Sequence, residues 1–170
     1  MGDLYVSQEL VDSKLYRSIL GKVMYVMTST RPDIAFAVST LAKFSSAPTV
    51  HHLAMAMKLI RYLKSTISMC LYYPNKHGKE ITFKGYTDSN YASPLDDYKS
   101  VTGYVFQINE IPITWCSKHQ TSTAVSLTEA EYVYIREKHE SNEVCLEYIN
   151  TSKQAADIFT KLYQSLSSID

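Results

Sequence analysis

Residues 84–92, KGYTDSNYA, contain the carboxylate on which the interpretation of the whole chain depends, Asp88. Just before it, apolar or small residues alternate with polar ones from Ile81 to Tyr86, which is the period-2 pattern of a strand. Asp88 is therefore predicted to lie on or near a strand. From this pattern alone, an isolated Asp at the end of a strand is more often a turn residue than a metal ligand.

Two further strands are predicted after the first. They are residues 100–108 (SVTGYVFQI) and 111–117 (IPITWCS), and the turn-compatible pair Asn109-Glu110 joins them. A helix is then expected to begin at Ser126, since Ser126 and Glu129 have the spacing of a capping box. Three strands in a meander followed by a helix indicate a mixed fold of helices and sheet.

Glu131 lies one turn inside that predicted helix. From there its carboxylate can point back across the sheet toward Asp88. A strand acid and a helix acid that face each other hold a divalent cation through hard oxygen ligands, as Mg²⁺ requires. The adjacent pair Asp96-Asp97 lies in a polar loop, where such residues are usually solvated turn formers.

These motifs resemble the ribonuclease H domain of Ty1/copia-type retrotransposon polyproteins. The matching segments are YTDSNYA, KSVTGYVF, ITWCSKHQ, SLTEAEY and EYINTSKQAADIFTK. Upstream, LYRSILGKVMYVMTSTRPDIAFAVSTLAKFSSAPT and IRYLKST are similar to the family's segment between the polymerase and ribonuclease H. The resemblance covers nearly the whole chain and implies an α/β (α+β) fold, with a ribonuclease H-like mixed sheet preceded by a small helical segment.

The resemblance also implies a set of site residues. Asp88, Glu131 and Asp157 match catalytic acids of the family, and they are the expected ligands of Mg²⁺ or Mn²⁺. The expected nucleic-acid partner is an RNA/DNA hybrid. Asp157 is predicted to lie on a helix that enters at residues 151–154 and buries a stripe at the end of the chain: Ala155, Ile158, Phe159 and Leu162.

The chain departs from the family near Ile135 and Arg136. In related domains the helix that begins with TEAEY is followed by another strand, which ends in a further catalytic Asp, and then by more helices. Here residues 132–135 run straight into residues 136–138, which resemble the stretch just before the last strand. This pattern indicates an internal deletion of a central strand and one of four carboxylates.

Two consequences follow from the missing segment. The sheet is expected to be truncated, with a last strand at residues 144–149 pairing beside residues 83–88 under a helix from 128 to about 140. The metal site is expected to be one ligand short, with weak or absent cation binding and little or no nuclease activity. Three function classes remain open: a degenerate ribonuclease H-like protein, a non-catalytic nucleic-acid or protein-binding module, and an effector-like interaction protein.

Composition sets the outer limits. The chain has 170 residues, 45% of them hydrophobic, and equal numbers of basic and acidic residues, 17 each. It can bury a core, and it has no net charge that would attract nucleic acid. The three widely spaced cysteines fit reduced core residues better than a metal or disulfide set. Because no signal-like or membrane-spanning stretch is present, an intracellular protein of the cytoplasm or nucleus is expected, with no membrane partner.

The first 75 residues are predicted to be a helical connector, and residues 76–170 the ribonuclease H-like domain. One helix is expected over residues 15–27, a second after a Thr30 cap with Pro32 in its first turn, and a third after a Thr49 cap. The stripe predicted for the third helix is Leu53, Met57, Ile60 and either Leu63 or Lys64. Residues 67–73 (ISMCLYY) are predicted to form a strand or buried extension, and no polymerase-type aspartate pair is present.

Three basic residues recur at intervals of three on the third helix: Lys58, Arg61 and Lys64. They share one polar flank of the predicted helix. The commoner interpretation of such a flank is a solvated face. The alternative is contact with the phosphates of a nucleic-acid duplex, and these three residues are the predicted nucleic-acid-binding set.

Overall fold

The computed structural model describes residues 9–74, 81–90, 101–119 and 147–161. These residues divide into two compact units: a helical unit, residues 9–70, and a sheet unit, residues 71–161. The predicted α+β class, with a helical segment ahead of a shortened sheet, is confirmed. No helix in the described part of the chain is long and apolar enough to cross a membrane.

The helical unit contains α1 (Ser13–Ser29), α2 (Ala35–Ala42) and α3 (Val50–Ser65). α1 begins where Asp12 accepts a hydrogen bond from the Lys14 backbone N–H at 2.8 Å, as an N-cap does. It contains the whole of the helix predicted over residues 15–27. The three helices share one core, whose buried members are Tyr16, Leu20, Val23, Ile34, Val38, Leu41, Ala56, Leu59 and Tyr62.

The entrance to α2 differs from the prediction. Thr30 does not cap a new helix but ends α1, where its N–H donates to Val26 O at 3.0 Å. Pro32 does open the next helical stretch, a 3₁₀ turn at Pro32–Ile34 that leads into α2. The interruption falls at Arg31 because the residue before a proline is driven out of the helical region.

Arg31 and Asp33 form a buried ion pair beside that turn. The guanidinium of Arg31 donates to both carboxylate oxygens of Asp33, at 2.9 and 2.7 Å, and also to the Thr66 hydroxyl at 2.8 Å. The Tyr62 hydroxyl donates to the same carboxylate at 2.9 Å. The hydrogen bond to Asp33 raises the pKa of Arg31, against the opposing effect of burial. These contacts connect the 3₁₀ turn before α2 with the end of α3.

The predicted N-cap of α3 is confirmed. Thr49 accepts from the His52 backbone N–H, and the Thr49 N–H donates to Nδ1 of His52 at 3.1 Å, so the two residues form a reciprocal capping box. The His52 ring also stacks on Phe44, with centroids 3.8 Å apart. His52 therefore has a structural role at this helix entrance.

The buried face of α3 was predicted wrongly. The fully buried line is Ala56, Leu59 and Tyr62, whereas the predicted Met57 is 42% exposed. The other members of the predicted stripe, Leu53, Ile60 and Leu63, are only partly buried. The helix is rotated from the prediction because Tyr62 faces inward, where its hydroxyl reaches Asp33.

The sheet unit contains β1 (Phe83–Asn90), β2 (Val101–Ile108) and β3 (Ile111–His119), antiparallel and in that order. All three strands were predicted. The hairpin between β2 and β3 turns at Asn109 and Glu110, both with positive φ (51° and 70°), as a two-residue hairpin turn requires. Asn109 Oδ1 accepts a hydrogen bond from the Thr82 N–H at 2.9 Å, so the residue just before β1 is bonded to the same turn.

Two predicted strands are absent where the structure describes them. Residues 67–73 contain no strand, and Ile67 is 85% exposed. Residues 147–149, the described part of the expected last strand, are not paired in the sheet, and Tyr148 is 94% exposed. A short, mostly apolar run was therefore not enough to place these segments against a partner. The helix expected over 128–140 and the join at 135–136 lie outside the described residues.

The helix predicted from residue 151 is replaced by two 3₁₀ turns, Thr151–Lys153 and Asp157–Phe159. The chain is extended at Gln154, whose side-chain amide donates to Thr87 O at 2.8 Å and whose side-chain oxygen accepts from the Ala156 N–H at 3.2 Å. These two side-chain hydrogen bonds, one tertiary and one local, take the place of helical backbone hydrogen bonds. Of the predicted stripe, Phe159 is buried as expected and Ala155 and Ile158 are half-buried, while Leu162 lies outside the described residues; Ala156 and Thr160 are buried without having been predicted.

Candidate functional site

Asp88 lies near the end of β1, half-buried and opposite Gly103 of β2. Asp157 opens the 3₁₀ turn that packs on the same two strands. The two acids are far apart in sequence and belong to elements that contact each other. Two of the three predicted site residues are thus brought to one surface of the sheet unit, and the third, Glu131, lies outside the described residues.

The close packing of this turn on the sheet depends on Gly103. A Cβ at this position would lie 2.5 Å from Cβ of Phe159 and 3.0 Å from Cγ2 of Thr160. No residue with a side chain fits without displacing the turn. Gly103 was predicted only as part of a strand, but a glycine inside a strand is the sequence signal of a close approach by another segment.

Hydrogen bonds hold the segment on either side of Asp88. Gln154 donates to Thr87 O at 2.8 Å, and Nδ2 of Asn90 donates to Thr160 O at 3.3 Å. The strand residues before and after the acid are therefore bonded to the two ends of the 154–160 segment. This arrangement determines where Asp157 lies relative to Asp88.

The hydroxyl of Thr160 connects the Asp88 carboxylate with the backbone of Asp157. It donates to Oδ2 of Asp88 and lies 3.1 Å from the backbone oxygen of Asp157. Thr160 is completely buried. Asp88 therefore has a protein hydrogen-bond partner on the very turn that carries Asp157.

Lys161 supplies a positive charge at the same place. Its ammonium group forms an ion pair with Oδ1 of Asp157 across an i, i+4 spacing. The hydrogen bond to Asp157 raises the pKa of Lys161; burial opposes that shift, and the negative charges of Asp157 and Asp88 add to it. Both acids thus act on one lysine. The pair is partly exposed, with side chains 51% and 32% accessible, so solvent screens it.

The predicted nucleic-acid-binding residues lie on α3 in the helical unit. Arg61 and Lys64 are exposed and Lys58 is half-buried. Successive steps of three residues rotate around a helix by about 60°, so the three cations spread across the outward-facing side of α3 rather than forming one line.

Comparison with known proteins identifies the family. The chain is 38% identical over 129 residues to the retrovirus-related Pol polyprotein from transposon RE1 of Arabidopsis thaliana. It is 42% identical over 118 residues to that from transposon TNT 1-94 of Nicotiana tabacum. The chain belongs to the Ty1/copia-type retrotransposon Pol polyproteins.

The matched region is a small part of those polyproteins. The two alignments cover 76% and 69% of this chain but 9% of each Pol polyprotein. A different relation holds with the secreted RxLR effector protein 161 of Plasmopara viticola, which is 36% identical over 72% of this chain and 84% of its own length. No protein-family profile and no solved structure matches the chain.

The described residues of this Pol segment contain only part of the two-metal centre that the family resemblance implies, since Glu131 lies outside them. Such a centre needs several carboxylates around two cations, and in the described part of the chain no three His, Cys, Asp or Glu residues are grouped to hold even one. The two acids that do approach each other already have protein partners, Lys161 for Asp157 and Thr160 for Asp88.

Sequence reasoning missed the residues that organise this surface. Thr160 and Lys161 belong to the ADIFTK motif, of which only the acid was given a role in the site. The i, i+4 spacing of Asp157 and Lys161 was a usable signal for an ion pair. No comparable local signal exists for Thr160, because its partner Asp88 is 72 residues away.

Proposed function

We propose that this retrotransposon-derived chain is a ribonuclease H-like Pol segment with impaired catalysis. Its ancestral activity would be metal-dependent hydrolysis of the RNA strand of RNA/DNA hybrids. The single observation that carries the proposal is the convergence of Asp88 and Asp157 on one surface, together with the protein partners that each already has.

The proposed catalytic and metal-binding set is Asp88, Glu131 and Asp157. Hydrolysis by two metal ions requires carboxylates that bridge and flank both ions. The deletion near residues 135–136 leaves the set one acid short, and Lys161 competes with any cation for Asp157. Because a misplacement of about 1 Å can lower a rate roughly 10²-fold, Mg²⁺ or Mn²⁺ binding is expected to be weak or absent and turnover very slow.

Nucleic-acid contact is the second part of the proposal. Lys58, Arg61 and Lys64 would contact phosphates of an RNA/DNA hybrid from the outer side of α3. Binding of this kind releases counterions, so its affinity should fall steeply as salt is raised and should not require a divalent cation. Charge reversal at the two exposed positions, Arg61→Glu with Lys64→Glu, should reduce both the affinity and the salt dependence.

The decisive experiment is a cleavage assay on an RNA/DNA hybrid labelled in the RNA strand, with Mg²⁺ and separately with Mn²⁺. The expected result is cleavage at or near the rate without protein, while metal-independent hybrid binding persists. The variants are Asp88→Asn and, as a matched control that also removes one acid from the sheet unit, Glu110→Gln in the exposed hairpin turn. Robust cleavage of the RNA strand that Asp88→Asn abolishes and Glu110→Gln preserves would refute the proposed impairment.

A second variant tests the role given to the lysine. Lys161→Met removes the ammonium but keeps much of the aliphatic side chain, so Asp157 loses its competing cation. Isothermal titration with Mn²⁺ should then show tighter binding than in the unaltered chain. Equal, undetectable binding in both proteins would show that Lys161 is not what limits cation affinity.

A second candidate function has an observation of its own. A protein named as a secreted RxLR effector aligns with this chain over 84% of its length, so the same segment makes up most of a protein that is named an effector and not a polymerase. An effector-like interaction protein would keep the fold without the chemistry. This alternative would be favoured if the Asp88→Asn variant folded normally and neither it nor the unaltered chain bound an RNA/DNA hybrid.

A further inference from the structure

An open groove runs between α1 and α3 on the surface of the helical unit. It has a volume of about 310 Å³ and is lined by Ile19, Lys22, Val23 and Val26 from α1 and by Ile60 and Leu63 from α3. All lining residues except Lys22 are aliphatic. Leu15, one turn before Ile19 on the same flank of α1, is 51% exposed and lengthens the apolar stripe.

The dimensions of the stripe suit a helical ligand. From Leu15 to Val26, α1 rises by about 16 Å, or three turns. This α1 row, flanked by the shorter pair Ile60 and Leu63 of α3, is a surface that can receive the apolar face of an amphipathic helix, through ligand side chains at i, i+3 or i+4, and i+7.

The charged side chains of the two described helices that form the groove are all basic. Neither α1 nor α3 contains an Asp or a Glu. Between residues 13 and 70 the only acidic residue is Asp33, which is paired with buried Arg31. Lys22 lines the groove itself, and Arg61 and Lys64 follow its lining residues on α3. Among the described side chains of α1 and α3, the flanks of a ligand would therefore meet positive charge.

We propose that the α1–α3 groove is a docking site for an amphipathic helix with acidic flanks, contributed by a partner protein. Apolar side chains of that helix would occupy the groove, and its Glu or Asp residues would face Lys22, which lines it. The proposal does not depend on the acids of the sheet unit and stands or falls separately from the proposed nuclease ancestry.

Two other occupants fit the groove less well. A second copy of this chain would present the same cationic helices, and like charges across an interface oppose association. A nucleic acid would gain little from the groove, because the aliphatic lining offers no aromatic ring for bases to stack on. Phosphates would find their cations on the outward side of α3 instead.

The test uses the full chain and a pair of synthetic helical peptides. Both peptides carry the same leucine stripe, and their flanking positions are all Glu in one and all Lys in the other. Fluorescence anisotropy should show the Glu peptide binding about tenfold or more tightly at low salt, with a smaller difference at about 0.15 M salt, where charges are screened. Equal binding of the two peptides, or no binding of either, would overturn the proposal.

A matched pair of variants locates the site. Lys22→Glu and Lys14→Glu make the same charge change on the exposed surface of the same helix, but only Lys22 lines the groove. We expect Lys22→Glu to weaken the Glu peptide by about tenfold and Lys14→Glu to weaken it much less. Equal weakening would mean that net charge alone governs binding, which refutes a specific groove. If an RNA/DNA hybrid displaced the peptide, and Lys22→Glu abolished binding of that hybrid, the groove would be assigned to nucleic acid instead.

Discussion

Replacing Gly103 with alanine should loosen the whole surface that brings Asp88 and Asp157 together. The new methyl group would start 2.5 Å from Cβ of Phe159 and 3.2 Å from the backbone oxygen of Ala156. Neither atom is the end of a flexible side chain, so neither can swing aside. The 3₁₀ turn carrying Asp157 must therefore move away from β2.

The size of the effect can be worked out from those contacts. Restoring a normal carbon–carbon separation of about 3.5 Å requires the turn to lift by about 1 Å. Overpacking of this kind costs about 1–3 kcal/mol. The 2.8 Å bond from Gln154 to Thr87 would stretch beyond hydrogen-bonding range, which adds about 0.5–1.5 kcal/mol. Alanine also makes the unfolded chain less flexible than glycine does, which returns a small part of the stability. The net loss of folding free energy should be roughly 2–3 kcal/mol.

Urea unfolding followed by two signals provides the assay. The single tryptophan, Trp115, lies on β3 and reports on the sheet unit through its fluorescence, while circular dichroism at about 222 nm reports mainly on the helices. The matched control is Gly21→Ala in α1, where a new Cβ meets no atom within 4 Å. Alanine should raise the stability of that helix by about 0.5–1 kcal/mol.

The two glycine substitutions thus have opposite expected signs. Gly103→Ala should lower the urea midpoint of the Trp115 signal without changing the slope of the transition, and Gly21→Ala should raise the midpoint of the helical signal. If Gly103→Ala left the Trp115 midpoint unchanged or raised it, the turn would not be packed against β2 as described. The proposed convergence of the acids would then lose its structural basis.

Two further predictions concern the helical unit. Arg31→Met leaves the Asp33 carboxylate without its cation in a poorly solvated site, so the free energy of unfolding of the helical unit should fall by about 3 kcal/mol. The double variant Arg31→Met/Asp33→Leu should recover part of that loss. No recovery would mean that the ion pair is not the cause. The pKa of His52 is lowered by burial and, to a smaller extent, by the charge of His51. The folded state therefore favours the neutral imidazole, which accepts the capping hydrogen bond. The stability that this cap contributes is fully present above the unfolded pKa of 6.5 and is lost as the pH falls through the lower folded value. The urea midpoint should be lower at about pH 5.5 than at about pH 7.5, and His52→Gln should abolish the difference. An unchanged pH dependence in that variant would place the titrating group elsewhere.

The elements that were predicted correctly depend on neighbouring residues. β1, β2 and β3 follow from alternation and from a two-residue turn, and both interact over a few positions. The Thr49 cap follows from a local hydrogen bond at the start of α3. Similarity to the Pol polyproteins was visible because the order of short motifs is itself a property of the linear chain.

The errors have a different origin. Which side of α3 is buried depends on the bond between Tyr62 and Asp33, 29 residues apart. The 3₁₀ turns replace a helix because Gln154 bonds to Thr87, 67 residues away. A hydrophobic period describes only which residues are compatible with burial, and it cannot choose among partners that are distant in sequence.

The amino-acid sequence alone therefore determined the family, the α+β class, the three strands and the identity of the candidate acids, since each is encoded in short motifs and local periodicity. Only the tertiary structure decided that Asp88 and Asp157 lie on one surface, that Thr160 and Lys161 are their partners, and that a cationic apolar groove opens between α1 and α3. The physical reason is that these features arise from close packing and hydrogen bonds between segments far apart in the chain, such as Gly103 against Phe159.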